Sequence, residues 1–425
     1  MEERNREYNP HHLVNVFSVI QVGVDTVDRP PNNHIKRLDI FLLRFSIIMQ
    51  IVDMCFDYNI AIRYFLIGEI TYFILSICLI LIPSLINVTV SKRMQQQNRE
   101  VQRNSGMDMT DDHKTTRLMI QSKLYFAIAV LFELAPVIHL REALKYALEA
   151  RKCEKTEDRA GERRYYLKML KADQDIALLR VFECFLEDAP QLILQLTLML
   201  KHYENRLNLG YVHQGSSIIS SFVSMGWAMA NYHRSIRLAQ QDKSNIGAVG
   251  TLLQFSWHFC ITVARILSLS VIASIWPLYT TIYCIIHWIS MTIWILIDSR
   301  GILEFCRTHS RPPHMPPAIK ERIYSILFAS VIGVIHVFIY VNTVDGKTFW
   351  KYLFFYSLCF LENVTSNLLW RKNCPPAVRE AWYFNVSFIV CIVSFCLGIT
   401  AMVLYYTVFH PSKRQRTSNT SVQAT

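Results

Sequence analysis

Charged side chains recur inside the apolar runs of this 425-residue chain, and several of them fall at helical spacing. Positions i, i+3 and i+7 share one face of a helix. A charge near the bilayer centre costs about 2.5–3.5 kcal/mol, so these groups must face one another or water. They predict a polar track or cavity for ions or lipid headgroups; buried ion pairs that only fix helix register are the alternative. The two stripes are Gln50, Asp53 and Asp57 in the first run, and Arg180, Glu183 and Glu187 in the fourth.

Spacing also suggests how these charges pair. Arg180 and Glu183 are three residues apart, close enough for an ion pair on one helix. Glu187 and the two aspartates of the first run then need another cation. Arg265 in the sixth run is the candidate, and water is the alternative.

The stretch "CFLEDAPQLILQL" at 184–196 combines this acidic stripe with a helix breaker. Pro190 has no N–H and clashes with the carbonyl of Leu186, so it predicts a bend that frees that carbonyl. Gln191 and Gln195 share a face and could hydrogen-bond across helices or to a polar ligand. An ordinary proline kink is the alternative. Asp188 lies about 100° from Glu187 on an ideal helix and has no assigned role.

Composition indicates the class of protein that must position these residues. The chain is 52% hydrophobic with 13 glycines, and long apolar runs recur from residue 40 to residue 409, which predicts an all-α polytopic membrane protein. The net charge of +11 is spread over short segments between the runs, which favours anionic lipid over nucleic acid. The 11 cysteines occur singly, so neither a disulfide framework nor a zinc site is expected. No motif predicts an enzyme, a metal or a cofactor.

Loop charges predict how the runs thread the membrane. The connections 91–123 and 141–174 carry seven and ten Lys or Arg residues, so a single crossing between them would place one strongly basic loop outside. A re-entrant hairpin at 121–140, turning near Pro136, removes the conflict. Treating 323–343 in the same way predicts eight transmembrane helices and two in-membrane hairpins, with both termini cytosolic. The ten runs are 38–62, 64–90, 121–140, 176–200, 211–231, 249–273, 276–297, 323–343, 352–370 and 382–409.

An internal repeat divides the runs into two halves. "CFLEDAPQLIL" at 184–194 aligns with "CFLENVTSNLL" at 359–369, which pairs Glu187 with Glu362; a chance match is the alternative. Each copy lies in the fourth run of a set of five, so two pseudo-symmetric parallel halves are expected. The predicted organisation is a cytosolic arm (1–37), a first repeat (38–231), a cytosolic linker (232–248), a second repeat (249–409) and a cytosolic tail (410–425).

Several segments together resemble the XK-related family. "LLRVFECFLEDAPQLILQL", "DKSNIGAVGTLLQFSWHFCITVARI", "NTVDGKTFWKYLFFYSLCFLEN" and "VLYYTVFHPSKR" occur in family order and are similar to its nematode cell-death branch. The resemblance implies phospholipid scrambling at the plasma membrane, with phosphatidylserine exposure on dying cells, and the eight-span, two-hairpin fold. It also implies a charged ladder that guides headgroups. The matching positions are Asp39, Asp53, Asp57, Arg180, Glu183, Glu187 and Arg265, and Gln191 and Glu362 complete the lipid-path candidates.

The resemblance implies activation by a caspase at the N-terminal arm. "DTVDRP" at 25–30 makes Asp28 the candidate cleavage residue, although Arg29 and Pro30 follow where these proteases prefer a small residue. Two other functions stay open. One is a membrane adaptor that docks a bridge-like lipid-transfer protein, with the basic 141–174 region as the docking surface. The other is an ion or small-solute transporter. The expected partners are phospholipids, a caspase, and a lipid-transfer protein or chaperone subunit.

Overall fold

The computed structural model describes residues 35, 37–104, 123–201, 209–239, 246–298, 306, 316–342 and 349–410. Within these ranges the regular structure is helical throughout, which confirms the all-α prediction. Asp28 lies outside the described residues, as does the rest of the predicted cleavage motif.

Thirteen α-helices and two π-helical segments are described. The helices are α1 (Arg37–Leu66), α2 (Ile70–Asn104), α3 (Lys123–Leu131), α4 (Leu134–Lys155), α5 (Arg159–Glu183), α6 (Ala189–Lys201), α7 (Leu209–Ala239), α8 (Ala248–Ile275), α9 (Pro277–Asp298), α10 (Ile319–Phe338), α11 (Phe349–Asn373), α12 (Pro376–Arg379) and α13 (Tyr383–Leu404). The π-helical segments are Cys184–Asp188 and Tyr405–Phe409.

Five helical stretches in the described ranges are long and apolar enough to cross a membrane. They are Ile70–Gln96, Ala248–Ile275, Pro277–Asp298, Ile319–Phe338 and Tyr383–Phe409. The chain is therefore a multi-pass membrane protein. The eight crossings predicted from the charges remain a prediction, since α1, α5 and α11 are not among these five stretches.

The run at 121–140 contains a sharp break. Helices α3 and α4 meet at an angle of 99°, and Glu133 between them has a left-handed backbone with φ 47°. The sequence predicted a turn near Pro136, but the break lies at Phe132 and Glu133. Pro136 belongs instead to the first turn of α4, where a missing N–H costs no helical hydrogen bond.

Several helices continue beyond their apolar runs. Helix α2 extends to Asn104, α4 and α5 fill the basic 141–174 connection, and α7 reaches Ala239 inside the predicted 232–248 linker. The extensions are rich in Gln, Arg, Lys and Glu, which are good helix formers in water. Hydropathy locates the membrane part of such a helix and misses its polar end.

Helix α8 lies at the centre of the packed helices. It contacts α6, α7, α9, α11 and α13, and 72% of its most apolar stretch is buried, compared with 22% for α9. Helix α1 is peripheral, because it packs against α2 and α4 and exposes Phe41, Phe45, Ile48 and Phe56. These side chains suit lipid contact.

Candidate functional site

Arg180 on α5 links α1 and α7, and we call the partly exposed site that it forms with Gln50, Asp53, Glu183 and Ser224 the groove. The Arg180 guanidinium donates to Asp53 Oδ2 on α1 at 3.1 Å and to Ser224 Oγ on α7 at 3.0 Å. It also lies 3.0 Å from Glu183 Oε2 and donates to Gln50 Oε1 at 3.2 Å. Gln50 in turn donates to Glu183. One cation thus links three helices, and the two stripes predicted from spacing face each other.

The groove network is graded from buried to exposed. The Glu183 side chain is 6% exposed, Arg180 is 27% exposed and Asp53 is 41% exposed. A pair that is open to the surroundings contributes at most about 1 kcal/mol, whereas a buried acid that loses its cation costs about 3–5 kcal/mol. Glu183 therefore depends on Arg180 for stability, while the Arg180 and Asp53 contact can exchange for a ligand at small cost.

The motif that carries the acidic stripe is π-helical. Residues Cys184–Asp188 form the π turn, and the Ala189 N–H donates to the Cys184 carbonyl, five residues earlier. Pro190 follows at once, so the helix widens where the proline cannot supply a hydrogen bond. The predicted disturbance at Pro190 is thus a widened turn on its N-terminal side. Such a turn adds one residue locally and changes the direction in which Glu187 and Asp188 point.

Three carboxylates converge beside this π turn. Oxygen atoms of Asp57, Glu133 and Glu187 lie within 4.8 Å of one another, and Glu133 and Glu187 are buried. We call these residues the acidic triad. Carboxylates this close repel, so a bound cation or shared protons must offset their charge. Three carboxylates at this spacing could hold a metal ion. Among the described residues, no other set of three potential metal-binding side chains lies this close. The sequence did not predict the triad, because Glu133 reaches it from the break between α3 and α4.

Two other sequence-predicted residues lie away from the guanidinium. Gln191 is buried, and its Nε2 finds no hydrogen-bond acceptor in the described part of the chain. Asp39 lies 14 residues before Asp53 on α1, about 21 Å along the helix axis. There it faces Asp173 in the 141–174 connection; burial, and then the charge of Asp39, raise the pKa of Asp173 to about 7.

The second half contains a separate charged cluster. Arg265 Nη2 lies 2.8 Å from Glu362 Oε2, and its Nε donates to the Val337 carbonyl at 2.7 Å. His287 Nδ1 lies 3.0 Å from Glu362 Oε1. The expectation that Arg265 would pair with Glu187 or the first-helix aspartates was wrong. Arg265 pairs instead with Glu362, the residue that aligns with Glu187 in the internal repeat. Arg265 and Glu362 both lie in the second half of the chain.

Arg265 and His287 also satisfy a helix end. The carbonyls of His336 and Val337 belong to the last turn of α10, which has no intrahelical partners for them. Arg265 binds one, and His287 Nε2 lies 3.3 Å from the other. Arg265 is ten residues from the end of α8, so α10 ends about 15 Å short of that end. The second hairpin remains a prediction, because α10 is also long and apolar enough to cross a membrane.

Ser224 is a groove residue that the sequence did not predict. It is one of several serines on α7, and its spacing does not distinguish it from the others. Only the packing of α7 against α5 brings its hydroxyl to Arg180.

The family of the chain follows from comparison with known proteins. The XK-related protein family matches residues 41–411. The chain belongs to the XK-related family. Two similar relatives are the cell death abnormality protein 8 of Caenorhabditis elegans, 28% identical over 400 residues, and that of Caenorhabditis briggsae, 28% identical over 396 residues. Each alignment covers 91% of this chain and 82% of the relative. The resemblance inferred from the sequence segments is confirmed.

Proposed function

We propose that this XK-related protein is a phospholipid scramblase of the plasma membrane that moves lipids, including phosphatidylserine, between leaflets. The observation that carries the proposal is the partly exposed Arg180 and Asp53 pair in a groove beside the lipid-facing helix α1. Ionisable side chains inside the membrane that stay partly exposed are typical of a path for a polar ligand.

The groove chemistry matches a phospholipid headgroup. Arg180 presents guanidinium N–H groups that suit a phosphate, and Asp53 presents a carboxylate that suits an amine. Arg180 already donates to Asp53 and to Ser224 across the groove, so a headgroup exchanges one set of charge-assisted contacts for another. The acyl tails remain in lipid along α1. The headgroup then avoids most of the cost of crossing an apolar core.

The remaining lipid-path candidates lie outside the groove and have supporting roles in this proposal. Asp57 and Glu187 of the acidic triad lie next to the groove residues on α1 and on the π turn. Asp39 lies at the proposed cytosolic end of α1. Arg265 and Glu362 hold the C-terminal end of α10 in place and support the path from a distance.

We place both termini in the cytosol and propose activation during apoptosis by caspase cleavage after Asp28. The names of the relatives refer to cell death, which supports this assignment. Residue Ile35, seven positions after Asp28, is buried with Ile40, Met169 and Leu170 against α4 and α5. Cleavage would therefore release the arm while its anchor stays in place.

The proposal is tested by reconstitution in liposomes that carry a fluorescent lipid in both leaflets. A membrane-impermeant quencher removes only the outer signal from protein-free vesicles. With protein that lacks residues 1–28, we expect the inner signal to be lost as well. The inner signal could instead persist with both the shortened and the full-length protein, as it does in protein-free vesicles. That result would favour the adaptor hypothesis, in which a lipid-transfer protein is needed. Ion flux without loss of the inner lipid signal would favour the transporter.

A further inference from the structure

An unfilled cleft lies between α2, α3 and α4, outside the groove. It contains about 330 Å³ of space and is partly open to the surroundings. Ligand pockets in proteins usually measure about 300–1,000 Å³. Apolar side chains from all three helices line the space: Val88 on α2, Phe126 and Ala129 on α3, and Ile138 on α4. We call this space the α2–α3 cleft.

Two polar side chains of α2 line the same cleft. Lys92 and Gln95 are three residues apart and therefore lie on one side of the helix. Lys92 Nζ lies 5.8 Å from the centre of the Phe126 ring, and in the described part of the chain no carboxylate is within ion-pair distance of it. Gln95 is 7% exposed, and its Oε1 accepts no hydrogen bond from a described residue. The α2–α3 cleft thus offers a cation and an unused acceptor in one wall.

The unused acceptor points to a ligand. A buried oxygen that accepts no hydrogen bond destabilises a protein, and native structures keep few of them. A ligand that brings an N–H group would satisfy Gln95 Oε1. An anionic group on the same ligand would pair with Lys92. The chemistry of the wall therefore fits a molecule that carries both a donor and a negative charge.

The depth of the α2–α3 cleft indicates where such a ligand comes from. The apolar stretch of α2 begins at Ile70, and Lys92 is 22 residues further on, about 33 Å at 1.5 Å per residue. The hydrocarbon core of a bilayer is about 30 Å thick, so Lys92 and Gln95 lie at the level of the headgroups. Tyr125, which also lines the cleft, is typical of that interface. Val88 lies one turn nearer the bilayer centre, so the apolar lining extends from the polar groups into the bilayer.

We propose that the α2–α3 cleft binds a phospholipid whose headgroup carries a primary ammonium group, such as phosphatidylethanolamine. The lipid phosphate lies against Lys92, and the ammonium group donates to Gln95 Oε1. The upper part of one acyl chain lies along Val88, Ala129 and Ile138. A choline headgroup has no N–H to donate and leaves the acceptor of Gln95 unsatisfied. In the orientation of the proposed function, this lipid comes from the cytosolic leaflet.

The test compares binding of dioleoyl phosphatidylethanolamine and dioleoyl phosphatidylcholine to the full-length protein in detergent by native mass spectrometry. We expect the wild type to bind the ethanolamine lipid more tightly. Lys92→Met should weaken binding of both lipids by about tenfold or more, the size of one charge-assisted hydrogen bond. Gln95→Met removes the acceptor and should abolish the preference for ethanolamine. The matched control is Lys320→Met, because Lys320 is an exposed lysine in the first turn of α10.

A second pair of variants tests the apolar part of the α2–α3 cleft. Ile138→Trp fills the space that the acyl chain would occupy and should weaken binding of both lipids. Leu124→Trp is its control, because Leu124 is 70% exposed on α3 and does not line the cleft.

Three results would overturn the proposal. The first is unchanged binding of both lipids in Lys92→Met and in Ile138→Trp. The second is an equal loss in Lys320→Met, which would mean general attraction to basic surface. The third is equal binding of the two lipids by the wild type, which would mean that Gln95 recognises no ammonium group. Gln95→Met should fold normally, because it removes an unsatisfied buried group. The readout does not depend on lipid scrambling, so this proposal and the proposed function fail separately.

Discussion

Replacing Arg180 with Met should destabilise the protein through Glu183. The variant removes the cation beside Glu183, whose side chain is 6% exposed. Among the described groove residues, Gln50 then remains as the hydrogen-bond donor to Glu183. Loss of one member of a buried pair costs about 3–5 kcal/mol, and the Gln50 hydrogen bond offsets about 1 kcal/mol. The contact with Asp53 adds at most about 1 kcal/mol, because Asp53 is 41% exposed. We therefore expect a loss of about 2–5 kcal/mol.

A second change tests the cause of this loss. Glu183→Gln in the Arg180→Met background removes the orphaned charge and keeps the contact with Gln50. The double variant should recover most of the lost stability, because a buried pair replaced as a unit is often close to neutral. The assay is the free energy of unfolding in bicelles, with Arg234→Met on the exposed face of α7 as the control. The reasoning is refuted if Arg180→Met is as stable as that control, or if Glu183→Gln recovers nothing.

Three further predictions follow from burial, charge and packing. The folded pKa of Asp173 is about 7, above an unfolded value of about 3.9, so this group should lower stability as pH rises between those values. Asp173→Asn should therefore gain thermal stability over wild type at pH 8 but not at pH 4. Glu133→Gln should raise the melting temperature, because it removes one charge from the acidic triad; a fall would contradict the repulsion inferred there. Gly333→Ala places a methyl group 2.3 Å from Thr292 Oγ1 and should cost about 1–3 kcal/mol, which Thr292→Ala should relieve.

The sequence predicted features that depend on residues close together in the chain. Arg180 and Glu183 pair as their i, i+3 spacing indicated. The disturbance at Pro190 was predicted from its missing N–H, although a π turn could not be distinguished from a simple kink. A break in the run at 121–140 was predicted from the charges of the loops on both sides of it, and the structure has a break of 99° there.

Partners from distant segments could not be predicted in the same way. Arg265 had several acids available, and only the packing of α8 against α11 selects Glu362. Glu133 joins the acidic triad at the break between α3 and α4, where its backbone is left-handed, a conformation that no local pattern required. Such contacts depend on how the helices assemble, whereas spacing reports only which residues share a face.

The most direct test of the groove is to fill it without changing its charge. Ser224 on α7 contacts Arg180, whereas the preceding residue, Val223, is 43% exposed and points away from the buried face. The assay uses liposomes that contain protein lacking residues 1–28. In these liposomes Ser224→Trp should abolish lipid exchange between the leaflets, and Val223→Trp should leave the exchange rate unchanged. Equal rates for the two variants, with equal amounts of folded protein, would contradict a lipid path between α1 and α7.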